Sequence, residues 1–241
     1  MRAIVCGAVV CLAASMACGD FIGSAVTISV ETLDDEKQFV WPVPAHVEDR
    51  VPFDLPPGLV IRGERGNALL TVDGLSGELD GDPAVALTFT VTAGASDTHV
   101  TITSAEVSFA AISNPDAYAT ASITVTDNNG NGGSATGLLA GTSSYEGRYN
   151  GIAWADLVGV VTADPYDSAI GRGRRPALPT VWETIPASVT KIQAVYDFTL
   201  TALDSASGTS RFEVIPEPAT MGLLGLGLAA LVGRRRRAWT E

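Results

Sequence analysis

Beyond residue 18 the chain has no cysteine, since Cys6, Cys11 and Cys18 are the only three. Any domain built after them therefore folds without an internal disulfide. Histidine is almost as scarce: His46 and His99 lie far apart, and neither stands in a paired metal-binding spacing such as H-E-x-x-H. A Gly-x-Ser-x-Gly elbow is missing, as is any thiol nucleophile past the leader border, so the usual hydrolytic triads have no support. Positive charge is short as well. Residues 18–216 hold 25 Asp and Glu against 10 Lys and Arg, a balance that repels a phosphate backbone and argues against nucleic acid as a partner. Long apolar runs occur only at the two ends, and no segment between them keeps a helical period with caps.

What is present begins with Arg2, the apolar run Ala3 to Ala14 and the small-residue site Ser15-Met16-Ala17. These are the basic, hydrophobic and cleavage regions of a secretory signal peptide, expected over residues 1–17 with cleavage after Ala17. The next residue is Cys18, whose lipidation is the alternative way of handling this terminus.

The middle of the chain alternates. Val26, Ile28 and Val30 interleave with Thr27, Ser29 and Glu31, the period of a half-buried strand. Asp34 to Lys37 reads as a solvated turn, and Phe39 to Pro57, with five prolines, as an edge strand or long loop pinned by Trp41 and Phe53. Val60, Leu69, Leu70 and Val72 predict two short strands around Gly63 to Asn67. The acidic, glycine-rich stretch Asp73 to Pro83 reads as turns ahead of a clear strand, Val85 to Thr92. Val100 to Ala111 and Tyr118 to Thr126 alternate too, and Asn114-Pro115-Asp116 between them predicts an antiparallel pair. Asp127 to Gly133 is a polar break, with Ala135 to Leu139 as the returning strand and Ile152 to Thr162 as one more apolar segment. Asp164 to Ser188, with four prolines and the cluster Arg172, Arg174 and Arg175, reads as a surface excursion. Val189 to Leu203 closes the domain, and Arg211 to Ile215 adds a short last strand. The expectation is all-β: one antiparallel β-sandwich-like domain of about ten strands spanning residues 18–214.

The last 27 residues differ from the rest. Ile215-Pro216-Glu217-Pro218 leads into the apolar segment 219–233 and then Arg234, Arg235, Arg236 and Arg237. The prolines keep the motif extended. The 15 apolar residues would make a helix of roughly 22 Å, a marginal single span of a hydrocarbon core about 30 Å thick. Four arginines form a stop that holds its C-terminal end on the cytoplasmic side of the membrane, leaving the domain outside. This order of parts resembles the sorting tail of PEP-CTERM proteins, over residues 215–241. The resemblance implies that Pro216, Glu217 and Pro218 are recognised by an exosortase-like membrane peptidase. It also implies a destination at the cell surface or outside the cell, in association with exopolysaccharide.

Within the domain one pattern looks like a metal site. Asp127, Asn129 and Asn131 offer oxygen side chains at the first, third and fifth positions of a calcium loop, followed by Gly132. Leu138 stands where the twelfth-position acid belongs, and an Asn-Gly-rich segment is also what a plain hairpin needs. Calcium and a bare turn both remain open, and no other cofactor is expected. The arginines at 172–175 are either solvated or grip an anionic polysaccharide or phosphate. The reading is a non-enzymatic exported surface or matrix protein. The alternatives are a carbohydrate-binding module using Trp41, Trp154 or Trp182 as an aromatic platform, and a secreted hydrolase.

Overall fold

The computed structural model describes residues 20–43 and 50–215. In chain order the strands are β1 (Asp20–Glu31), β2 (Glu36–Pro42), β3 (Arg50–Leu55), β4 (Leu59–Arg62), β5 (Ala68–Asp80) and β6 (Ala84–Ala93). There follow β7 (Thr98–Ser113), β8 (Asp116–Thr126), β9 (Gly133–Gly137), β10 (Tyr145–Tyr149) and β11 (Ile152–Leu157). The rest are β12 (Val161–Ala163), β13 (Ser168–Arg175), β14 (Glu183–Thr184), β15 (Ser188–Leu200) and β16 (Ser205–Ile215). Among the described residues there is no α-helix.

Every pairing is antiparallel, and the strands form two sheets. The first runs β11-β10-β15-β7-β1-β2, with β9 on β15 and β12 on β9; the second runs β13-β8-β16-β6-β5-β3, with β14 on β8 and β4 on β5. The two face each other across a continuous apolar core. Period-two patterning explains why: in β8, Ala117, Ala119, Ala121, Ile123 and Val125 are buried while Tyr118, Thr120, Ser122, Thr124 and Thr126 face the other way. At the centre of the core Phe89 lies edge-on to Tyr196 at 4.8 Å and stacked on Phe198 at 5.9 Å. Tyr145 meets Tyr196 at 5.0 Å, and Trp154 stacks on Phe212 at 5.5 Å. Each such ring contributes about 1.5–3 kcal/mol through burial alone.

Several expectations need correction. Among the described residues there are sixteen strands rather than about ten. Residues 73–80 are the second half of β5, not turns, because a bulge between Val72 and Gly74 shifts the alternation by one residue. Leu70 and Val72 before it and Leu75 and Leu79 after it thus all point inward, on opposite parities. The true turn is confined to residues 81–83. The strands on either side of Asn114-Pro115 do not pair: β7 lies between β1 and β15 in the first sheet, and β8 between β13 and β16 in the second. Asn114 takes a φ of 48°, its N–H bonds to Ala187 O, and Pro115 is buried. The corner therefore carries the chain across the core instead of folding it back within one sheet. β9 likewise returns on β15 and β12, not on β8. Glu36 and Lys37 open β2, leaving the turn at 32–35; the apolar segment 152–162 divides into β11 and β12; and the last strand runs eleven residues, from Ser205. The proline-rich segment 39–57 supplies β2 and β3, the outer strands of the two sheets, where a missing N–H costs least.

Candidate functional site

The stretch read as an excursion contains β13, an edge strand that pairs with β8 from Ser168↔Thr126 to Arg175↔Ala119. Its Gly-Arg-Gly-Arg sequence is an alternation. Gly171 and Gly173 face the core, where a Cβ would stand 2.5 Å from Val161 Cγ2 and 2.8 Å from Leu157 Cβ respectively. The close approach of the first sheet at this edge thus requires glycine at the inward positions. Arg172 and Arg174 point outward, opposite Ser122 and Thr120.

That outward face is built from hydroxyls. The row through Arg172 continues across the sheet as Ser122, Thr209, Thr88 and Ser76. The next row passes through Ile170, Thr124, Ser207 and Thr90. Ser122 Oγ and Thr209 Oγ1 are 3.0 Å apart. Arg172, Arg174, Thr120, Ser122 and Thr209 line an open groove of about 430 Å³. At its end Tyr118, next in phase on β8, meets the ring of Trp182 edge-on at 4.9 Å.

The arginines of this region fall into two groups. Arg175 makes a two-pronged pair with Glu183, Nη2–Oε1 2.7 Å and Nε–Oε2 3.2 Å, and its guanidinium lies 4.6 Å above the Trp154 ring. This hydrogen-bonded guanidinium holds the Glu183 carboxyl below the usual range. Arg211 is paired with Glu213 at 2.6 Å. Arg172 has no carboxylate partner among the described residues. Arg174 reaches only Val181 O, at 3.4 Å, and its Nε is shielded from solvent without an acceptor.

The calcium-loop residues do something else. Asp127 is buried and accepts N–H groups from Tyr166 (2.6 Å), Gly130 (2.9 Å) and Asn129 (3.4 Å). Burial pushes its carboxyl up, but these donors outweigh it and hold the group below its ordinary value. Asn129 Oδ1 accepts the Asn131 N–H at 3.0 Å, while its amide donates to Ala202 O; Asn131 is exposed. Asn128 binds Asp204, Leu203 O and Ser205. The loop's side chains thus tie it to the β12–β13 and β15–β16 connections, and the Asp127 oxygens face peptide donors.

His99, at the start of β7, sits between Asp197 (2.6 Å) and Glu31 (3.3 Å); His46 lies outside the described residues. Trp154 is buried and so offers no platform, and Trp41 is half-buried beside Phe39 in an apolar groove of about 320 Å³. Sequence reading missed the cross-strand neighbours Glu146 and Asp156. Partial desolvation first, then the charge of the buried Glu146, pushes the Asp156 carboxyl up, although the Asp156 residue as a whole is exposed. It missed the Thr120, Ser122 and Thr209 hydroxyls too, although their phase with Arg172 and Arg174 was visible once β13 was taken as a strand. Cys18, Pro216, Glu217, Pro218 and Arg234 to Arg237 lie outside the described residues, as do the expected signal peptide and the helix at 219–233.

The described residues thus form two facing antiparallel sheets, and the last of these strands leads directly in sequence to a Pro-Glu-Pro motif. Residues 214–237 match the family model of the PEP-CTERM protein-sorting motif, so the chain carries that signal. The signal marks an exported protein processed by an exosortase at the membrane. The match covers the tail and reaches only the last two residues of β16, Val214 and Ile215. No curated protein matches the chain.

Proposed function

We propose that the chain is a non-enzymatic cell-surface or matrix protein, held in the membrane by its tail, released from it by cleavage near Pro216-Glu217-Pro218 and associated with extracellular polysaccharide. The observation that carries the reading is the sorting motif itself, set directly after β16, which ends at Ile215. With no linker between them, the motif begins one residue past a strand whose last two residues pair with β8, Val214 with Ala117 and Ile215 with Asp116, the ladder to β6 ending at Glu213. Proline supplies no ladder N–H, so the residue types of Pro216 and Pro218 are poorly suited to continuing a strand.

The test is processing in a host that contains an exosortase-like peptidase. Wild type is expected as a shortened form outside the membrane fraction, and the variant P216A/E217A/P218A as a full-length membrane-bound form. Equal processing of both would refute the assignment. Blocking lipidation with Cys18→Ser in both chains keeps the fractionation readout tied to the tail.

A further inference from the structure

We propose that the outward face of the second sheet, at Arg172 and Arg174, is a binding site for an acidic glycan, a sugar chain bearing carboxylates. The inference rests on the extracellular destination argued above and adds to it a site and a ligand class.

Four observations converge on this face. The first is charge. In a strongly acidic domain, Lys37, Arg50, Arg148, Arg175, Lys191 and Arg211 each reach a carboxylate. Arg172 and Arg174 do not, and neither do Arg62 and Arg65, but Arg172 and Arg174 project side by side from one edge strand beside a row of hydroxyls. The nearby acids Glu183 and Glu213 are already neutralised by Arg175 and Arg211, so the groove keeps two uncompensated positive charges. The second is the guanidinium of Arg174, whose Nη2 reaches only Val181 O at 3.4 Å and which has no carboxylate partner among the described residues. An unpartnered guanidinium N–H is costly unless some acceptor completes the local network. The third is the hydroxyl row Ser122, Thr209, Thr88 and Ser76, which extends the groove away from the arginines across four strands. Hydroxyl side chains both donate and accept, which suits the mixed polarity of sugar hydroxyls. The fourth is the Tyr118–Trp182 pair at the groove's end, which provides an apolar ring surface for the face of a pyranose.

An isolated inorganic anion would use only the two arginines. A single-stranded nucleic acid would be opposed by the surrounding acidic surface beyond the reach of the groove. A linear carboxylated glycan uses all four features. Carboxylates seat on Arg172 and Arg174, hydroxyls meet Thr120, Ser122 and Thr209, and one ring lies against Trp182.

The full chain in non-ionic detergent is titrated with hexagalacturonate, neutral maltohexaose, inorganic sulfate and a single-stranded hexadeoxynucleotide. The expected result is saturable binding of hexagalacturonate that weakens with added salt and changes tryptophan fluorescence in wild type but not in Trp182→Phe, without comparable binding of the other three. R172S/R174S is expected to weaken binding about tenfold or more, as loss of charge-assisted contacts does. R62S/R65S removes two exposed arginines elsewhere and is expected to bind as wild type. Thermal melts establish that each variant is folded. The site is overturned by equal binding of maltohexaose or the oligonucleotide, by displacement of hexagalacturonate with sulfate at equal charge concentration, by equal losses in the two double variants, or by absence of hexagalacturonate binding. None of these outcomes bears on tail processing, so the two readings fail separately.

Discussion

Gly208→Ala is a small change with a large expected cost. Gly208 lies in the middle of β16, facing the core between Phe89 of β6 and Ile123 of β8. A Cβ built there stands 2.5 Å from Phe89 Cε1, 2.6 Å from Phe89 Cζ and 3.0 Å from Ser122 O. Neither neighbour can yield easily. The Phe89 ring is held between Tyr196 and Phe198, and Ser122 O belongs to the paired backbone of β8. Overpacking of this kind costs about 1–3 kcal/mol. For a domain of this size, that lowers the melting temperature by roughly 2–4 °C per kcal/mol. Gly74→Ala is the internal control, because a Cβ there has nothing within 4 Å and its φ is not positive. Urea unfolding of wild type, G74A, G208A, F89L and F89L/G208A measures the effect. G74A is expected within about 0.5 kcal/mol of wild type. F89L, which makes room for the new methyl, is expected to be less costly in the G208A background than alone. A G208A midpoint indistinguishable from that of G74A, or additive effects in the double variant, would refute this account of the core.

Two further expectations concern pH and calcium. The Asp156 carboxyl is raised by partial desolvation and by Glu146, so the native state favours its protonated form. The stability this group adds is present below its unfolded value and lost as pH rises through the folded one. Asp156→Asn should therefore melt higher than wild type at pH 7, with the gap closing toward pH 4; a lower melting point at pH 7 would contradict it. Asp127 has the opposite sign. Its contribution is present above the ordinary value of 3.8 and lost as pH falls through the depressed native one. Asp127→Asn places an amide donor against peptide N–H groups. It should be less stable than wild type at pH 7 and converge with it in acid, as followed by circular dichroism. Because those donors occupy the carboxylate, millimolar calcium is expected to leave the wild-type melting temperature unchanged, and a rise would show that the loop opens to bind the ion.

Much of the all-β pattern was legible because most strands alternate strictly, as β8 and β6 do. It was lost where alternation slips. The bulge at Val72 and Gly74 moves the inward residues of β5 to the other parity, so the second half of a thirteen-residue strand looks like turns. Pairing partners were harder still. Asn114-Pro115 has hairpin composition, and only the burial of Pro115 and the strand order show that it crosses between sheets. β13 hid behind its glycines, which carry no side chain to signal an inward face and are there because Leu157 and Val161 come so close. Its arginines were noticed as charge but not as a row in phase with Thr120 and Ser122. At Asp127 the spacing reads as a loop of oxygen side chains. Spacing alone does not reveal whether those oxygens meet a cation or peptide N–H groups, which depends on segments such as Tyr166 that lie far along the chain.

The position of β16 has a mechanical consequence. It is an interior strand, held by nine residue pairs to β6 and eleven to β8. Tension applied through a tail at its C-terminal end would run along the strand axis, so the ladders on both flanks would bear load together in shear rather than opening pair by pair. Had the tail followed an edge strand such as β13 or β3, the same pull could have peeled it away one hydrogen bond at a time. Before cleavage, a domain held by such a tail would thus be joined to it through an interior strand rather than an edge.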